Sequence, residues 1–296
     1  MGGHVDTFFH PPHQRSRGRG FASFGLRQGA ARLVDLHQSG SAKVMLPRQD
    51  GAVPEIVFLN TSGGLTGGDD ISFSLDLGPG CRALATTQTA ERAYASTGPT
   101  ARMTVNATVA AGGRLDWLPQ ETLLYQQSRL TRRTTIDLTG DATCLLAEMV
   151  ILGRPAMGER VTDTRLTDAR LITRDGRPVW AETMHLDPSV LADPSPALLN
   201  GARAFAVICL VAQGAEDAVT ALRDALDPAL GAVSGWDGKC VIRLAAHDGW
   251  PLKQQIARLL RILTGGPLPR VWASGGLTND HGSHHGSHHG SQGETR

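Results

Sequence analysis

Histidine is nearly missing from the body of this chain: between Ala42 and Asp280 only His185 and His247 occur, and neither has a neighbour at ligand spacing. That leaves no His-Glu-x-x-His metal site and no histidine base beside a serine or cysteine nucleophile, and there is no Gly-x-Ser-x-Gly elbow. Cysteine is as sparse. Cys81, Cys144, Cys209 and Cys240 are scattered and form no Cys-x-x-Cys, and at least Cys144 and Cys209 sit in apolar runs, so they read as buried, reduced thiols. A dominant charge sign is absent too: 29 basic against 28 acidic residues leave a net +1, so no global field points to nucleic acid or an anionic membrane. Binding must therefore be local. No apolar run approaches the roughly 18 residues that span a bilayer, and the stretch from His4 to Arg19 lacks the apolar segment of a secretory signal. The expectation is a soluble, cytoplasmic protein with neither membrane nor nucleic acid as partner.

What is present is a series of short apolar segments with period-two alternation, cut by Gly, Pro and Asp. They include Ile56 to Leu59, Ile71 to Leu77, Leu84 to Gln88, Met103 to Val109, Leu130 to Leu138, Thr143 to Leu152, Val161 to Thr173 and Ala204 to Ala212. Many strands in series predict a mainly β fold of stacked sheets, sandwich-like or β-helical-like. Glu216 to Leu226 and Leu252 to Leu263 carry apolar residues at helical spacing, and Ser189 to Leu199 allows a third, shorter helix, so two or three short amphipathic helices fall in the C-terminal third. Residues 1–28, rich in Arg, Gly and His, read as a flexible arm, 29–273 as one β domain without an exact internal repeat, and 274–296 as a disordered tail. That tail repeats His-Gly-Ser-His and holds His281, His284, His285, His288 and His289, weak candidate ligands for nickel, copper or zinc.

The most constrained segment runs from Asn60 to Asp70, where Gly63, Gly64, Gly67 and Gly68 precede two adjacent carboxylates. It is no phosphate cradle, because Asp69 and Asp70 stand where a P-loop needs Lys and Ser or Thr. Acidic side chains suit a cation or a basic partner instead. Further carboxylates stand at Glu121, at Glu159 and at Glu148, the last inside the apolar run Cys144 to Leu152, where an unpaired charge is costly. Arg154 and Arg160 are the nearest candidate partners for Glu148. Thr86 and Gln88, with Glu91 and Arg92, mark a strand end facing solvent or an internal polar surface.

Asn60-Thr-Ser-Gly-Gly-Leu-Thr-Gly-Gly-Asp69, Thr86-Thr-Gln-Thr-Ala-Glu-Arg-Ala-Tyr-Ala-Ser96, Trp117-Leu-Pro-Gln-Glu121-Thr, Gly153-Arg-Pro-Ala-Met-Gly-Glu159 and Leu268-Pro-Arg-Val-Trp272 resemble, in order and spacing, the urease accessory protein UreD (UreH) family over about residues 30 to 273. The resemblance implies a β-rich, non-enzymatic maturation factor that joins UreF-like and UreG-like proteins on the urease apoprotein so that nickel reaches its metallocentre. It implies no tightly bound cofactor, only transient Ni2+, which an internal polar tunnel is proposed to carry in this family. Asp69, Asp70, Thr86, Gln88, Glu121, Glu148 and Glu159 are the candidate nickel-path or partner contacts. Thr61-Ser62 stand where the family often has two prolines, and Asp70 where a basic residue is common, which weakens any basic contact carried over to that position. A different class of reading remains open: a metal-dependent hydrolase with Asp69, Asp70 and Glu148 as ligands. A third, a carbohydrate-binding module, would need aromatic-lined sites, and aromatics are only 5% of this chain.

Overall fold

A computed structural model describes residues 15–48, 53–154 and 157–273. Alternation is the rule that builds it. In β5 (Asp70–Leu77), β8 (Ala101–Val109), β11 (Arg129–Leu138) and β13 (Arg165–Arg174) every second side chain is buried, so each strand has one dry face and one wet face. These four lie parallel as neighbours in one sheet. A parallel pair needs a crossover, and here the chain makes it by running through a second sheet. That sheet contains β4 (Glu55–Asn60), β6 (Arg82–Thr87), β9 (Arg114–Trp117) and β12 (Thr143–Leu152), also parallel. A third, short side is formed by β7 (Glu91–Ala93) and β10 (Thr122–Leu124), with β10 pairing the end of β12. Each coil consumes roughly 30 residues, a solenoid-like repeat in space that has no counterpart as a sequence repeat.

Antiparallel strands extend both sheets. β1 (Arg17–Arg27) and β2 (Ala30–Gly40) form a hairpin whose first strand lies parallel to β5, and β14 (Arg177–Leu186) closes the other edge, giving the order β14-β13-β11-β8-β5-β1-β2. The second sheet gains β3 (Ala42–Met45) at one edge and β15 (Ala204–Val211), β17 (Lys239–Ala246) and β16 (Gly231–Trp236) at the other. Two expectations need correction. The arm expected over residues 1–28 is, from Arg17 onward, a strand of the first sheet with Gly18, Gly20, Ala22 and Phe24 turned inward. The hairpin β16–β17 was not predicted; its Asp237-Gly238 turn has positive φ at both residues (45° and 70°), the signature of a two-residue hairpin loop. The expected tail, with its five histidines, lies outside the described residues.

Between the two sheets, Phe58 packs against Phe73 and Trp117 at ring separations of 5.0 and 5.9 Å. The opposite face of the second sheet carries a second apolar layer. There α3 (Gly249–Thr264) buries Leu252, Ile256, Leu259, Leu260 and Leu263, each worth roughly 1.5–3 kcal/mol of transfer free energy. Asp248 caps it by accepting from the Trp250 N–H, and Gly265 ends it with φ 63°. A 3-10 turn (Ala215–Ala218) leading into α2 (Val219–Ala225) and the short α1 (Pro188–Ala192) and α4 (Arg270–Ala273) complete the helices.

Candidate functional site: stacked motif loops over a buried ion network

The solenoid brings four of the five motif segments onto one side. Leu65 of the glycine loop bridges Ala93, β7 pairs with β10, and Leu124 of β10 faces Leu152, whose neighbour Gly153 donates to the Leu124 carbonyl. Glycine is required within this stack. A Cβ at Gly64 would lie 2.4 Å from the Tyr94 ring, and one at Gly67 would lie 2.0 Å from Ser96 Oγ. Tyr94 donates to the Gly63 carbonyl and meets Tyr125 at 5.3 Å, while Arg154 sits over the Tyr125 ring at 4.7 Å. The fifth segment joins from outside: Trp272 Nε1 donates to the carbonyl of Leu118, within the Trp117-to-Thr122 motif.

The candidate carboxylates are held by separate sets of partners. Asp69 is buried, one oxygen accepting the Thr66 N–H of its own loop at 2.8 Å and the other the Ser16 N–H ahead of β1 at 2.7 Å. Asp70, the next residue, points from the wet face of the first sheet. Glu121 accepts Lys253 Nζ at 2.8 Å, and the same ammonium reaches Gln120 Oε1 at 2.7 Å, so α3 is pinned to this motif. Glu159 accepts Arg154 Nε at 2.8 Å and the backbone N–H groups of Gln126 and Arg154; burial pushes its carboxyl up, but these donors outweigh that and hold it below the ordinary value. Thr86 is buried and donates to the Leu118 carbonyl at 2.7 Å. Gln88 is exposed and, with Asn60, Gly63, Gly64 and Glu91, lines a cavity of about 30 Å3, the size of a single water.

Glu148 has the richest surroundings. It faces inward from β12 between the two sheets, and its partners come from the neighbouring coils rather than from Arg154 or Arg160. Arg170 Nε donates to Oε2 at 2.6 Å, Arg132 Nη2 lies 3.3 Å from the same oxygen, and Thr134 donates to Oε1 at 2.7 Å. Asp168 completes the group: Arg132 grips it with two hydrogen bonds of 2.8 and 2.6 Å, and Arg170 donates to it as well. All four side chains are 3% exposed or less. Two guanidiniums and two carboxylates cancel, which is what makes the burial tolerable. Desolvation pushes the Glu148 carboxyl up, but Arg132 and Arg170 overcome it and bring it down from 4.5 to about 2. Desolvation likewise disfavours the Arg132 charge, yet Asp168 and Glu148 raise it above its ordinary value. From this group the charges continue outward: Arg170 to Glu182 at 3.6 Å, then Glu182 to the exposed Arg243.

Arg132, Asp168 and Arg170 were missed in the sequence, although they occupy inward slots of otherwise apolar alternation, which is the signal that marks them. In the sequence Glu91 stands out only as part of a polar run. Its burial, offset in part by Asn60 Nδ2 at 3.3 Å from both oxygens, pushes its carboxyl up from 4.5 to about 7. The hydrolase reading fails on geometry. Asp70 is on the outer face of the first sheet, Glu148 is sealed between the sheets, and Asp69 is consumed by backbone donors. Among the described residues no group of three His, Cys, Asp or Glu is placed to hold a metal ion. No described helix is long and apolar enough to cross a membrane.

Comparison with known proteins gives a consistent result. The family model described as UreD urease accessory protein matches residues 16–273. The chain is 54% identical over 262 residues to a urease accessory protein UreD of Cereibacter sphaeroides (strain ATCC 17025), covering 88% of this chain and 95% of that one. It is 48% identical over 264 residues to that of Paracoccus denitrificans, covering 88% and 94%, and 41% identical over 261 residues to that of Rhizobium leguminosarum bv. viciae, covering 88% and 96%. The matched span runs from the residue before β1 to the end of α4, taking in every strand and every motif loop described above, and the chain belongs to the UreD family of urease accessory proteins.

Proposed function

We propose that this chain is a non-catalytic scaffold of urease maturation, which holds the urease apoprotein together with UreF-like and UreG-like accessory proteins while nickel is inserted. The observation that carries the reading is how the motif side chains are used. Asp69, Glu121 and Glu159 brace loops and a helix while Glu148, outside the motifs, braces the inter-sheet core, so the motifs support a shaped surface rather than a reactive centre. Nickel in this reading is cargo. Between the sheets Arg132 and Arg170 already hold Glu148 and Asp168 and repel a divalent ion there, which supports delivery across the docked surfaces. The test is urease activation in cells with and without this chain, with nickel content of the purified urease measured alongside. Activation requires the chain if the reading is right; undiminished activity and nickel in its absence overturn it.

A further inference from the structure

The near-zero net charge conceals a strong local segregation. On the outer face of the first sheet, register places Arg17 beside Asp70, Asp70 beside Arg102, and Arg102 beside Thr131. The next row holds Arg19, Ser72, Thr104 and Arg133, and just before the first row Arg129 stands directly opposite Arg165. These six arginines come from four strands far apart in sequence, and the parallel coils gather them at the N-terminal ends of the strands. None lies within ion-pair distance of a described carboxylate, and Asp70 is the single acidic residue in the two rows. Two like charges directly opposite on a sheet destabilise it, so this arrangement is held against its own repulsion. About 20 Å along the strands the same face turns acidic, with Asp35, Asp76 and Asp137 in one row. Asp76 and Asp137 already accept from Thr108 and Thr173. Among the described residues the larger helices pack against β15, β16 and β17 of the second sheet, and none packs on this face.

We infer that the arginine band is a docking surface for an acidic protein surface. Charge complementarity selects the occupant. A flat sheet face fits neither groove of a duplex, which admits a helix or a two-stranded ribbon, and a long polyanion laid along the strands would run into the aspartate row. An anionic membrane meets the same row, and the arginine rows themselves hold no exposed large apolar side chain to insert, the exposed Val34 lying beyond the aspartate row. A folded partner with a local acidic patch matches the band and avoids the far end. This deepens the scaffold reading by naming the face it uses, and rests on that reading for its functional arm alone.

The experiment compares the full chain with Arg19→Ser/Arg102→Ser/Arg133→Ser and with Asp35→Ser/Asp76→Ser/Asp137→Ser at the opposite end of the same face. The probes are a poly-glutamate peptide, duplex DNA, phosphatidylcholine/phosphatidylglycerol vesicles and purified apo-urease. The expected result is salt-sensitive binding of poly-glutamate and apo-urease by the parent chain, weakened about tenfold or more by the arginine changes and unchanged by the aspartate changes. Binding that is insensitive to salt between 50 and 300 mM overturns the inference without any variant, should the triple variant fail to fold. Preference for DNA or vesicles, or loss of self-association instead of partner binding, also overturns it. If the arginine variant binds apo-urease and activates urease as the parent does, the docking face is wrong and the scaffold reading stands. If the parent chain itself fails to activate urease, the scaffold reading falls, and the poly-glutamate result still decides the face.

Discussion

Replacing Glu148 by glutamine tests whether the buried network is a structural element of the inter-sheet core. The substitution keeps the shape and leaves an oxygen to accept from Thr134 and from Trp117 Nε1. It removes one of two negative charges facing Arg132 and Arg170, and turns an amide N–H2 towards guanidiniums that have only donors. Two magnitudes agree. Moving a carboxyl from 4.5 to about 2 corresponds to about 3 kcal/mol of stabilisation of the folded state, and breaking a buried ion pair costs about 3–5 kcal/mol. For a chain this size the expected fall in melting temperature is about 5–9 °C.

The pH dependence sharpens the test. Glu148 has a folded-state value below its unfolded one, so its contribution is complete above about pH 4.5 and fades as the pH falls towards 2. The gap between parent and Glu148→Gln should therefore be widest at pH 7 and shrink by pH 3.5. Pulse proteolysis of the full chain in urea reads it at low concentration. The double variant Glu148→Gln/Arg170→Met leaves Arg132 and Asp168 as a balanced, doubly hydrogen-bonded pair, and should be more stable than Glu148→Gln alone. A Glu148→Gln deficit under about 1 kcal/mol at pH 7, or one that does not shrink on acidification, refutes this account.

Other sites give independent checks. Gly67→Ala should destabilise the glycine loop by about 3 kcal/mol or more, because the new methyl meets Ser96 Oγ at 2.0 Å and the Pro99 carbonyl at 2.3 Å; Gly63→Ala, with open space and only a φ of 81° to oppose it, should cost about 1 kcal/mol in the same urea titration. Asp69→Asn removes one of two charged acceptors and should cost about 1.5–3 kcal/mol, with hydrogen exchange accelerating at the amides of Ser16 and Thr66 before it does elsewhere. Glu91 shifts the other way: its raised value favours the folded state below pH 4.5, and that advantage is lost as pH rises through about 7. Glu91→Gln should accordingly raise stability on the order of 2 kcal/mol at pH 8 and leave it unchanged at pH 4.5; equal shifts at both pH values would contradict the assigned burial.

Local pattern exposed most of the strands and the two longer helices, because their apolar residues follow one period without interruption. The failures have specific causes. In β1 the inward slots hold Gly18 and Gly20, since a Cβ at Gly18 would come 2.3 Å from the Ala42 nitrogen and one at Gly20 would press on Val44 and Phe73; the close crossing of β3 erases the hydrophobic signal that strand recognition needs. Glu148 is recognisably out of place in the sequence, but its partners are not its neighbours along the chain. Coiled topology makes the neighbours of a β12 residue those one coil away, so Arg132 and Arg170 are adjacent to it while Arg154 pairs with Glu159. The same geometry explains why the arginine band is invisible in a net charge of +1: a parallel coil sums charges along rows of equal register, not along the chain. Charged residues in a solenoid should therefore be read by face and row. An Arg or Asp in an inward slot predicts a buried partner on an adjacent coil, and like charges repeated in the same outward row, left unpaired, predict a surface whose counter-charge belongs to another molecule.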